Sequence, residues 1–296
     1  MKLIVHDTAA TIGGILARPL PERAEALSGL IGPMLAAMPF LGTGDLAAFH
    51  HRGSGFRVDR DDDRYPAALH RLRAAGVWER VEAEVTRAWE HQRAAVPGIR
   101  AAEEVNVVLV LGDPDDDWLI GHNRGLFGMG AIPGWIHLTV WPTDDNIDLI
   151  AHCAVHEFNH NVRYANVVWN PATVELGEQI VSEGLADAFV RELSGESALG
   201  PWATALRPED FDHAYRTITA ALGLTGMANF SAYVHGDTSA RRMGAEPVGL
   251  PDMAGYPVGL AIVDAHLKAT GLTAAASTAL PSKEIIANAG LLPGSR

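Results

Sequence analysis

Three histidines at successive spacings of four, His152, His156 and His160, stand in the stretch from Ala151 to Tyr164. A spacing of four returns a side chain to within about 40° around a helix axis and about 6 Å along it. Ile150, Ala151, Ala154, Val155, Phe158 and Val162 fall on the side away from the histidines, so the stretch is predicted to be a helix with one core face. Within it, His156-Glu157-Phe158-Asn159-His160 has the pattern H-E-x-x-H, whose two imidazoles can converge on one cation. Glu157 lies about 100° around from His156, where a carboxylate can flank a metal-bound water without ligating the metal, as a general base must. His152 and His160 are about 12 Å apart along the axis, too far to share an ion with bonds of about 2 Å. A single site therefore takes one pair, and only His156 and His160 enclose a glutamate.

A second predicted helix opens at Asn170-Pro171, a capping residue followed by a first-turn proline, and closes near Gly195. Leu176, Ile180, Glu183, Asp187 and Val190 form one stripe along it, which places two carboxylates among apolar neighbours. A buried carboxylate needs a cation or a strong donor beside it. Glu183 is accordingly the expected third ligand, and Asp187, one turn on, is expected to accept a hydrogen bond from a ligand imidazole. Glu175 and Glu178 compete for the ligand role, but they lie near the helix start, where the dipole favours solvated acids.

Elsewhere the periodicity predicts helices over 21–38, ended by Pro39, and over 66–95, then 146–164, 208–222, 257–269 and 282–289. Val105 to Leu111 and Trp135 to Val140 read as strands. Gly121, Gly125, Gly128 and Gly130 read as a flexible loop, since no phosphate-binding Lys-Ser/Thr follows. Asp113, Asp115 and Asp117 begin like a calcium loop, but Trp118 stands where its glycine belongs. The expected organisation is a mostly helical region over 1–100 and a catalytic region over 101–296, with the two continuous as one domain as the alternative.

The chain has 36 acidic and 23 basic residues, a formal net charge of -13, which argues against nucleic acid or an anionic membrane surface as a partner. No apolar run reaches spanning length. A single cysteine, Cys153, precludes an internal disulfide, so a soluble cytoplasmic protein is expected.

The run from His156 to Arg163, read as H-E-x-x-H-x-x-R, is followed by Ser182-Glu183-Gly184-Leu185-Ala186 and by Gly255-Tyr256-x-x-Gly259. Together these resemble the gluzincin zinc metallopeptidases and, more closely, the YjaZ-like bacterial family of predicted zinc-dependent proteases. The resemblance covers roughly residues 105–289. It implies an α/β (α+β), mostly helical, zincin-like domain with a small sheet, one zinc per chain, and hydrolysis of a peptide or small amide substrate by a water that Glu157 activates. For such chemistry Tyr256 is a candidate oxyanion donor or a simple helix anchor, and the loop 235–255 a candidate lid. His235 reads first as a loop histidine and second as an oxyanion contact. Arg163 reads first as an ion-pair partner and second as a substrate-carboxylate contact. Two other functions fit parts of the pattern: a di-iron enzyme, because Glu157-x-x-His160 has the Glu-x-x-His spacing, and a non-catalytic binding protein on the same scaffold.

Overall fold

The structure is a computed structural model that describes residues 1–37 and 45–291. Its contacts divide the chain into two compact units, one of Met1–Arg87 and Ala101–Asn161, the other of Ala88–Arg100 and the chain from Val162 onward. The architecture is mixed α/β, mostly helical, with one small sheet.

The first unit carries β1 (Lys2–Val5), α1 (Thr8–Leu16), α2 (Leu20–Ala36), α3 (Leu46–Arg52), α4 (Arg64–Ala74) and the start of α5 (Val77–Ala95). The predicted end of α2 at Met38 and Pro39 lies outside the described residues. The single helix expected over 66–95 is two, because Gly76 takes a left-handed φ of +60° and turns the chain between α4 and α5. Then come β2 (Glu104–Leu111), β3 (Leu126–Met129) and β4 (Trp135–Val140). The sheet order is β1-β2-β4-β3; β1, β2 and β4 are parallel, and β3 runs antiparallel to β4 at the edge. From Val107 to Leu111, β2 is buried on both faces, which explains its unbroken aliphatic run. Two strands went unread in the sequence: β1, only four residues long, and β3, whose Gly128 falls in what reads as a glycine-rich loop. Asp113 and Asp115 are held by Arg60, and Asp115 by Arg64 as well.

α6 (Ile150–Asn166) closes the first unit and opens the second. It begins four residues later than expected, because Asn146 spends its side chain on a turn, accepting from Thr143 N and donating to Arg124 O and Trp141 O. Residues 153–163 are all buried, so the polar positions of α6 lie inside the protein along with its apolar face. Asn161 ties it to the β3–β4 turn: its amide donates to Gly130 O, Ile132 O and Trp135 O, and its oxygen accepts from Gly134 N.

The second unit continues with α7 (Leu176–Ser194), α8 (Pro208–Ala220), α9 (Phe230–Tyr233), α10 (Asp237–Arg242), α11 (Gly255–Thr270), α12 (Ala274–Ser277) and α13 (Ser282–Asn288). α7 starts at Leu176, not at Asn170-Pro171; Asn170 caps a separate turn, accepting from Ala172 N, Thr173 N and Val174 N. Every residue of α7 from Leu176 to Val190 is buried. α11 crosses it at backbone contact: a methyl on Gly184 would lie 2.8 Å from Leu260 N and closer to Gly259, and one on Gly259 would lie 3.1 Å from Gly184 N. Between α9 and α11, the stretch expected as a lid contains α10 and is pinned by Asp237, whose carboxylate accepts from Val248 N, Gly249 N and Leu250 N. Among the described residues no helix is long and apolar enough to cross a membrane.

Candidate metal centre

α6 presents His156 and His160 one turn apart, 2% and 5% exposed, with their Nε2 atoms 3.1 Å from each other. Two ligands about 2.0–2.1 Å from a tetrahedral ion stand about 3.3 Å apart, so the two nitrogens already have the separation of a ligand pair. Glu183 on α7 completes a group in which one ligand atom from each residue lies within 4.8 Å of the others. All three are buried, and among the described residues this is the single group of three such side chains. The donor set is two imidazole nitrogens and one carboxylate oxygen, which suits zinc. A carboxylate among buried imidazoles also calls for positive charge, which a divalent ion supplies.

Two neighbours of Glu183 on α7, Ser182 and Asp187, hydrogen-bond with side chains of the same unit. Ser182 Oγ donates to Tyr164 Oη at 2.9 Å, and burial, with the nearby Glu183 charge, pushes the Tyr164 phenol well above its ordinary range, so it stays protonated. Asp187, 1% exposed, accepts from Trp202 Nε1 at 3.0 Å. Glu157, 6% exposed, lies beside Gly128 of β3 and Gly130 of the following turn.

A family model described as "Predicted Zn-dependent protease (DUF2268)" matches residues 81–287, which takes in α6, α7 and α11. The chain belongs to that family. Over 190 residues it is 36% identical to a protein of Bacillus subtilis (strain 168) described as "Uncharacterized protein YjfC", an alignment covering 64% of this chain and 62% of the relative. The match thus spans about three fifths of the relative's length. No solved structure matches.

In this member of the DUF2268 family the remaining candidate residues fall into two groups. Tyr256, His235 and Asp187 belong to one neighbourhood: the Tyr256 ring is 5.9 Å from His235 and 6.0 Å from Trp202, the residue that donates to Asp187. Gly255 lets the chain pass directly against Val234, and Met253, in a left-handed conformation at φ +61°, donates its N–H to His235 O. Arg163 stands apart. It is fully buried, its Nε and Nη2 grip the two oxygens of Glu178 at 2.7 Å each, and its Nη1 donates to Thr278 O and Leu280 O. The substrate-contact reading of Arg163 is therefore corrected to a structural one, and Glu178 is a buried ion-pair partner, not the solvated acid its place near the helix start suggests. Glu175 pairs with Lys283.

Sequence reasoning missed Asn161, Gly128, Gly130, Tyr164 and Trp202. Only Asn161 carried a local signal, since asparagine favours caps and turns, and one inside a helix invites the question of which backbone groups its amide serves.

The purified protein is expected to hold about one zinc per chain, and His160→Ala to lose most of it, as metal analysis by mass spectrometry would read. His152→Ala is expected to keep its zinc, because His152 is half-buried among Glu84, Arg80, Arg87 and Asp148 of its own unit. Undiminished zinc in His160→Ala would remove His160 from the ligand set.

Proposed function

We propose that the chain is a zinc metallopeptidase of the gluzincin type, with a zincin-like fold resembling the YjaZ-like proteases. The observation that carries this reading is the buried convergence of His156, His160 and Glu183 with Glu157 next to His156 in the same helix. The first three residues would hold one zinc. The bound ion supplies Lewis acidity, polarising a carbonyl oxygen and lowering the pKa of water. Glu157 takes the proton of the attacking water and returns it to the leaving amine. Asp187, fixed by Trp202, is the carboxylate proposed to orient a ligand imidazole, and Tyr256 and His235 are proposed as donors to the oxyanion that develops on the carbonyl.

The substrate is proposed to be a peptide or a small amide. β4 (Trp135–Val140) lies between β2 and β3, so it offers no free edge to an extended peptide. The edge strand on that side is β3, and an extended substrate would add there. A mononuclear site is preferred to a di-iron one because a single three-residue group is found among the described residues. The lone buried Cys153 fits a reducing cytoplasm.

The test is a cleavage screen on a proteome-derived peptide library with zinc-loaded protein, with the same protein after chelation, and after zinc is restored. Cleavage that disappears on chelation and returns with zinc is expected. Cleavage indifferent to chelation, or none from protein carrying a full equivalent of zinc, would overturn the peptidase reading.

A further inference from the structure

Gly128 and Gly130 stand two apart, and both face Glu157, yet they meet different parts of it. A methyl built on Gly130 would lie 2.7 Å from the Glu157 carbonyl carbon and 2.8 Å from its Cα, with the carbonyl oxygen closer still. These are helix backbone atoms, so only a separation of the turn from α6 could make room. A methyl built on Gly128 would lie 2.7 Å from Glu157 Cγ and Cδ, with Oε1 closer still. Those atoms end a flexible side chain, which can swing aside while strand and helix stay where they are. Gly130 therefore sets how closely the turn approaches the helix, and Gly128 leaves the space in which the carboxylate lies.

We propose that Gly128 is a positioning residue for the Glu157 carboxylate, the absent Cβ being the space that fixes where the carboxylate sits. The wall does not yield, because Gly128 is paired with Leu138 of β4 and the turn beyond it is held by Asn161. A methyl in that wall moves the carboxylate by about 1 Å if ordinary contact is to be restored, and a misplacement of that size at a reacting group costs up to about 100-fold in rate. The inference rests on the reading of Glu157 as the general base, and its test separates the two.

Zinc-loaded Gly128→Ala is expected to keep its zinc and its melting temperature while kcat falls about 10- to 100-fold with KM nearly unchanged. Glu157→Asp, with one methylene less, removes the closest contact of the added methyl, that with Oε1, so Gly128→Ala is expected to cost less in the Glu157→Asp background. A merely structural defect would cost the same factor in both. Gly121→Ala, whose methyl would meet nothing within 4 Å, serves as the control and is expected to match the unsubstituted protein. A crystal structure of Gly128→Ala provides a readout independent of turnover, in which the Glu157 carboxylate is expected to be displaced. If the single variant fails to fold, the Gly128→Ala/Glu157→Asp double variant carries the comparison against Glu157→Asp alone. Full kcat in Gly128→Ala beside an inactive Glu157→Gln, equal losses in both backgrounds, or an unmoved carboxylate would overturn the proposal. Equal cleavage by Glu157→Gln and the unsubstituted protein would instead overturn the reading of Glu157, leaving the crystal structure to decide whether Gly128 places the side chain.

Discussion

Glu157→Gln is expected to retain its zinc and to lose about 100- to 10,000-fold in kcat, the range for removing a general base from a transition state. The substitution keeps the size of the side chain and its place beside Gly128, and it removes only the ability to take a proton. Binding interactions made equally by ground and transition states persist, so KM should change little and the loss should fall on kcat and kcat/KM alike. Steady-state kinetics on any peptide from the cleavage screen, with zinc content measured on the same samples, provides the check. A glutamate that was a metal ligand would behave differently, because its amide would weaken retention of the ion. Retained zinc with undiminished kcat would show that the proton goes elsewhere.

Arg163→Met is expected to destabilise the protein by about 3–5 kcal/mol, the cost of stranding one member of a buried ion pair. The guanidinium has no exposed surface and Glu178 is 8% exposed, so removing the cation leaves a carboxylate in the interior with neither water nor a countercharge in its place. Thr278 O and Leu280 O lose their donors in the same step. The double variant Arg163→Met/Glu178→Leu should recover much of the loss, because it removes the charge as well as its partner. Urea denaturation of the three proteins measures this. A loss under about 1 kcal/mol in the single variant, with a raised KM, would return Arg163 to the role of a substrate contact.

The legible part of the fold is the part whose cause is local. β2 and β4 are apolar runs bounded by turn residues, and α8 and α13 were placed to within two residues by period. What stayed hidden was set by partners distant in sequence. Gly128 looks like loop because glycine disfavours strands, yet the Glu157 side chain, 29 positions on, takes the space of a Cβ. Asn170-Pro171 carries the signals of a helix start, but the same chemistry closes a turn, and α7 begins only where Leu176 N and Gly177 N can donate to Leu224 O and Leu222 O. At the candidate site, the spacing of His156 and His160 is local and could be read. The partners of Arg163, Glu178 and Asp187 could not, because the sequence reports that a charge is buried without reporting what meets it.

The clamp that Asn161 makes on the turn between β3 and β4 limits how this chain can vary in length. Gly130 O, Ile132 O, Gly134 N and Trp135 O all meet one side-chain amide, so a residue inserted among them would leave at least one of these groups without its partner and lift the strand off α6. The segment after α6 is under no such restriction at Val168, whose side chain is 96% exposed. A tag, a label or a graft belongs there; the turn next to Glu157 does not tolerate one.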